Sequence, residues 1–227
     1  MTTKTPRPAS TTDLVVAAAQ LLGRQWTTRM IAELTDHGPI PLGLVAGTFS
    51  DLTHDQYTYG LRVLRDRGLI AYGKDTGRDC YVLTAAGEGL GDVHFAMSRW
   101  ARNHGFPSRE CDFVTRVDAT LRLLRDRDLL AVLGGADTEP LAEPVGGAAV
   151  GMDTQAERSL TEAGFMYVVR DGVPTLTRAG RDLRGPLTAL ASWAQAHADL
   201  LQRRIDTRPG LRTTIPGPQR APARRSV

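Results

Sequence analysis

Two pieces of this chain recur at a constant spacing of 93 residues, and that recurrence limits the fold more than any other feature. Leu83-Thr84-Ala85-Ala86-Gly87 returns as Leu176-Thr177-Arg178-Ala179-Gly180. Trp100-Ala101-Arg102-Asn103-His104 returns as Trp193-Ala194-Gln195-Ala196-His197, and Leu90 is matched by Leu183 between the two motifs. Two motifs that keep a common offset describe a duplicated unit. A second match, Leu64-Arg65-Asp66-Arg67 with Leu124-Arg125-Asp126-Arg127, does not extend into its surroundings. It marks two helix ends rather than a repeat.

Each motif has a local physical reading. Thr84 and Thr177 follow alternating, strand-like segments and suit helix N-caps, where a hydroxyl accepts a first-turn N–H. The helix that follows ends near the tryptophan motif, whose indole most simply packs in a core. His104 and His197 fall one turn after the indoles on the same helical face, where packing or surface hydrogen bonding is the simplest role. Upstream of each motif lies a hairpin. Residues 69–74 and 79–83 flank the turn Asp75-Thr76-Gly77-Arg78, and residues 165–169 and 173–176 flank Arg170-Asp171-Gly172. Gly68 and Gly164 precede the hairpins as helix C-terminal caps. The spacing predicts helices over 12–22, 27–36, 42–48, 53–67 and 85–104 in the first unit. In the second it predicts helices over 112–126, 128–134, 153–163 and 178–204. The segment from Gly134 to Gly147 is poor in helix signals. Domain boundaries follow: a tail over 1–11, units over 12–106 and 107–205, and an Arg- and Pro-rich tail over 206–227. Both tails have the composition of disordered chain.

The fold class expected is mainly α with small two-stranded wings, as two tandem domains. No run of 18 apolar residues exists and the N-terminus has no apolar signal core, so neither a membrane span nor export is expected and the cytoplasm is the default. Two cysteines, Cys80 and Cys111, are too few for a disulfide framework or a zinc site. No metal or cofactor is expected. There is no glycine-rich phosphate loop, metal-ligand cluster or nucleophile motif, so catalysis is not expected. The net charge of +3 is unevenly placed. Units 12–106 and 107–200 carry −1 and −4, whereas residues 1–11 and 201–227 carry +2 and +6. The basic character sits at the ends.

The first unit resembles the HxlR-type family of bacterial winged helix-turn-helix regulators over about 90 residues. The likeness rests on Leu21-Leu22-Gly23 before Trp26, the stretch Met30-Ile31-Ala32-Glu33-Leu34, and Leu61-Arg62-Val63-Leu64-Arg65-Asp66-Arg67-Gly68-Leu69-Ile70. Leu83-Thr84-x-x-Gly87 and Trp100-x-x-x-His104 complete it. The second unit resembles the family only in its C-terminal half. The resemblance implies that the helix from Thr53 enters the major groove of double-stranded DNA while the hairpin meets the backbone. His54, Asp55, Thr58, Tyr59 and Arg62 then form the outer face, with Leu61 and Leu64 inward. Thr53, His54, Thr58, Tyr59 and Arg62 are the candidate groove-facing residues, and Lys74 and Arg78 the candidate wing cations. Asp55 departs from the basic or neutral residue common at that place in the family.

In the second unit the corresponding helix carries Asp153, Glu157 and Glu162 against Arg158, and Glu157 aligns with the core residue Leu61. Its charge argues for packing rather than reading DNA. The expected function is a DNA-binding transcription regulator, either a pseudo-dimer within one chain or a homodimer. The competing expectation is a scaffold that has lost DNA binding and holds a small-molecule effector between the units. Trp26, Trp100, Trp193, His104 and His197 are the candidate pocket residues there. A third possibility is an interaction module whose Arg220, Arg224 and Arg225 attract polyanions.

Overall fold

A computed structural model describes residues 10–24, 26–108, 110–127, 129–130, 133, 155–162, 164–168 and 174–206. Among them the chain is mainly helical, with two small antiparallel sheets. Helix α1 (Thr11–Leu22) starts at a capping box in which Ser10 and Asp13 exchange side chain-to-backbone bonds. Leu14, Val15, Val16, Ala18, Ala19, Leu21 and Leu22 are all buried, so α1 is apolar nearly all round and must be enclosed. Helix α2 (Thr27–His37) follows Trp26, which sits in the left-handed region at φ 71°. Strand β1 (Ile40–Pro41), a 3-10 turn over Leu42–Leu44 and α3 (Val45–Thr48) lead to α4 (His54–Asp66). Strands β2 (Ile70–Asp75) and β3 (Arg78–Leu83) form a hairpin closed by Thr76-Gly77, and β1 pairs with β3 to give the order β1-β3-β2.

Next come α5 (Ala85–Glu88), α6 (Leu90–Asn103) and α7 (Phe113–Leu123). After them stand α8 (Gln155–Glu162), the short hairpin β4 (Met166–Val168) and β5 (Pro174–Leu176), then α9 (Arg178–Asp182), α10 (Arg184–Ala196) and α11 (Ala198–Asp206). The expected helix over 85–104 is therefore two segments hinged at Gly89, and that over 178–204 is three, broken at Leu183 and His197. Pro186 explains one break. It has no amide hydrogen to give the Asp182 carbonyl, so a continuous helix loses a bond there. Arg127, Leu129, Leu130 and Leu133 are helical where the helix over 128–134 was expected. The segment from Gly134 to Gly147, the tails over 1–9 and 207–227, and the Glu157 side chain lie outside the described residues.

The duplicated motif is the same device in both places. Thr84 Oγ1 accepts from the Gly87 amide (3.3 Å) and donates to the Gly68 carbonyl (2.6 Å). Thr177 Oγ1 accepts from the Gly180 amide (3.2 Å) and donates to the Gly164 carbonyl (3.0 Å). One hydroxyl thus starts a helix and ties it to the left-handed glycine that ended an earlier one. The motif's own glycine allows close approach: a Cβ on Gly87 would lie 2.1 Å from the Leu69 carbonyl oxygen, and one on Gly180 would lie 2.3 Å from that of Phe165.

The two halves interpenetrate. α1 packs against α10, α11 and α7, and α6 packs against both α7 and α10. One continuous core runs from Leu14 to Leu201. Two arginines from opposite halves converge on the carbonyls at the C-terminal end of α1, of which that of Ala19 also accepts from the Gly23 amide. Arg67 donates to the Leu21 carbonyl (2.6 Å), and Arg125 donates to those of Ala19 (3.3 Å) and Gly23. Across α2 and α7, Thr28 Oγ1 donates to Asp118 (2.5 Å), a carboxyl that burial holds above its ordinary pKa.

Candidate nucleic-acid interface

Helix α4 presents one face inward and one to solvent. Gly60, Leu61 and Leu64 are buried, and a Cβ on Gly60 would strike the Met30 thioether, so α4 lies tightly on α2. Thr53 is the N-cap and forms a capping box with Gln56: the Thr53 amide donates to Gln56 Oε1 (2.8 Å) and the Gln56 amide to Thr53 Oγ1 (3.4 Å). His54, Asp55, Thr58, Tyr59 and Arg62 are all exposed. His54 stacks on Tyr57 (5.2 Å between centroids) and lies 3.5 Å from the Thr58 hydroxyl. The Arg62 guanidinium leans over the Tyr59 ring at 5.5 Å, and Tyr59 is 50 % exposed.

Lys74 and Arg78 are exposed at the hairpin tip. In the register each faces an acid, Lys74 opposite Asp79 and Asp75 opposite Arg78, which favours the hairpin itself. Asp55 has a comparable local role in the first turn of α4, where a carboxylate complements the helix dipole. The exposed acids beside the candidate cations therefore have structural work of their own.

Further features escaped the sequence reading. Arg65 donates to the Tyr72 hydroxyl (2.7 Å) and covers its ring at 5.0 Å, joining α4 to the hairpin. Tyr72 packs on Tyr81 (5.1 Å between centroids), with the hydroxyls 3.5 Å apart. Burial, and then the Tyr72 hydroxyl, push the Tyr81 phenol up to about 12, so it stays neutral. Arg65 and Tyr72 are only seven residues apart, yet the turn at Gly68 is what brings them together. A groove of about 260 Å³ lies between the α3 segment and α4, lined by Leu42, Val45, Ala46, Tyr57, Thr58, Leu61 and Tyr81.

The candidate pocket residues fall in different places. Trp26 is half-buried at the start of α2, near Gly60. Trp100 and Trp193 are 4 % and 5 % exposed and stand where the halves meet. The Trp100 indole donates to the Ala179 carbonyl (3.0 Å) and the Trp193 indole to the Ala86 carbonyl (2.9 Å). Phe106 and Phe165 surround Trp100 at 5.5 and 5.3 Å. His104 packs on Trp100 and pairs with Asp182 (3.2 Å), while His197 packs on Trp193. Both histidines thus support indoles.

Cys80 is buried in β3 and Cys111 is half-buried. Among the described residues no group of three or more His, Cys, Asp or Glu side chains is placed to hold a metal, and no helix is long and apolar enough to cross a membrane. Comparisons with family models, with curated proteins and with solved structures find no match to this chain.

Proposed function

We propose that this chain is a DNA-binding transcription regulator resembling the HxlR type, built from two tandem winged-helix units of which the first reads the duplex. α4 enters the major groove and the β2–β3 hairpin lies along the adjacent backbone. The observation that carries this is the outward face of α4: His54, Thr58, Tyr59 and Arg62 are exposed together on a helix capped by Thr53. Recognition helices work through exposed N-terminal side chains that reach base edges, with cations on a neighbouring element near phosphates. Arg62 is the residue suited to a guanine edge, and Thr58 and His54 to hydrogen bonds with either base type.

A second reading keeps the fold and drops the duplex. It is favoured by the local charge balance: Arg62, Arg65, Lys74 and Arg78 share their surface with Asp55, Asp66, Asp75 and Asp79. A small-molecule site between the units is less favoured, because the two indoles there are buried and already hydrogen-bonded. The test is a titration of the full chain against duplexes from its own upstream region, at low and moderate salt, beside Arg62→Ala. The DNA reading expects a sequence-specific complex that persists at moderate salt and weakens about 5- to 150-fold in the variant, the ~1–3 kcal/mol of one base contact. Binding that vanishes at moderate salt and ignores Arg62→Ala would leave only non-specific attraction to the cationic ends.

A further inference from the structure

The contacts between the halves come in exchanged pairs. Trp100 donates to Ala179 and Trp193 donates to Ala86; adding 93 to one donor gives the other, and subtracting 93 from one acceptor gives the other. α6 packs on α10, which is its own duplicate. The first helix of each half is exchanged too: α1 packs on α10 and α7 packs on α6. Contacts in which i meets j and j meets i are what two identical subunits make about a two-fold axis. Here both participants belong to one chain, and the surface is consumed. Leu90, Leu183, Ala101 and Ala194 are wholly buried there beside the two indoles.

The two ends of this internal pair are unequal. α4 has 13 residues with a capping box, followed by six-residue strands. The stretch from Asp153 to Glu162 carries three acids against one arginine. A regulator that reads an inverted repeat needs two equivalent heads about one helical turn (~34 Å) apart. This chain supplies one head and has spent the pairing surface that would bring a second.

We infer that a single chain is the complete reading unit and that its target is one duplex half-site without inverted symmetry; this rests on the DNA reading proposed above. Two measurements on the full chain test it. Light scattering of the free protein is expected to give one chain, 24.6 kDa. Selection from a random duplex pool is expected to enrich a motif lacking inverted symmetry, bound by one chain per duplex. A duplex bearing two inverted copies is expected to take up two chains without cooperativity. An enriched inverted repeat occupied by two chains, or a free species of twice the mass, overturns the inference. A pool with no enrichment overturns the DNA reading and removes the target with it. The two failures are distinguishable: no enrichment with a single-chain mass counts against the DNA reading, whereas an enriched inverted repeat or a doubled mass counts against the internal pairing.

Discussion

Replacing Gly87 by alanine probes the duplicated motif at its tightest point. The new Cβ would lie 2.1 Å from the Leu69 carbonyl oxygen, 3.2 Å from its carbon and 2.9 Å from a Leu83 methyl. The methyl can turn aside. The carbonyl cannot, because it accepts from the Thr84 amide (3.0 Å) and lies 3.1 Å from the Thr84 hydroxyl, whose proton is shared with the Gly68 carbonyl. Unstrained contact between such heavy atoms lies near ~3.5 Å, so α5 would have to retreat from the hairpin by more than roughly 1 Å. Overpacking of that kind costs about 1–3 kcal/mol, and weakening of the Thr84 bonds adds about 1 kcal/mol more. A net loss of about 3 kcal/mol, or roughly 6–12 °C in Tm for a chain of this size, is expected in urea and thermal unfolding. Gly91→Ala, four residues on in α6, is the control. Its Cβ would meet only a Thr35 methyl at 3.6 Å, ordinary contact, and alanine is the better helix former by about 0.5–1 kcal/mol. Gly180→Ala should repeat the Gly87 loss, since its Cβ would approach the Phe165 carbonyl to 2.3 Å. If Gly87→Ala unfolds within about 0.5 kcal/mol of the parent, the size of an ordinary surface change, close approach is not why the motif contains glycine.

Burial leaves His94 2 % exposed with Nε2 unpartnered, and lowers its pKa from 6.5 to about 4. The unfolded chain takes up that proton below about pH 6.5 and the folded chain only below about pH 4. Stability is therefore intact above the upper value and drains between them by about 3 kcal/mol. Unfolding free energies of His94→Leu over that interval should fall less steeply than the parent's, and parallel curves would refute the assignment. Trp193→Phe and Trp100→Phe each remove an indole donor from a carbonyl of the opposite half, and each should cost about 1–3 kcal/mol in denaturant unfolding. Strongly unequal losses would argue against the exchanged symmetry.

Much of the first half was legible because its elements carry their own terminators. Thr53, Thr84 and Gly68 stand at the observed caps, and the predicted bounds fall within a residue or two of α1, α2 and α4. His94 was not singled out in the sequence; the structure places it among Leu90, Val93, Met97, Trp100 and Ala101, all buried on α6. The break before α10 had a local signal in Pro186, over which the apolar periodicity runs on. The packing of α1 on α10 had none, because it joins residues at opposite ends of the chain through surfaces that are merely apolar in sequence. The Arg67 and Arg125 contacts are similar. Each looked like part of a coincidental match, and only the enclosure of α1 gives both a common target.

Under the DNA reading proposed above, the placement of acids around α4 also changes which residues would carry recognition. Summed charge treats Asp55, Asp75 and Asp79 as opposition to DNA, yet each has a local setting: the helix N-terminus for Asp55, and register positions across from Arg78 and Lys74 for Asp75 and Asp79. Screening limits exposed charges to about 8 Å at physiological salt, so these nearest neighbours matter more than the total. Contact between the hairpin and phosphate competes with the facing pairs Lys74–Asp79 and Arg78–Asp75, which reduces the net contribution of the wing. Arg62 is differently placed. It leans on the exposed Tyr59 ring and can swing to a base edge without surrendering an acidic partner in the register. The discriminating substitution is therefore Arg62→Ala on α4, while Lys74→Ala should change affinity little and evenly across sequences.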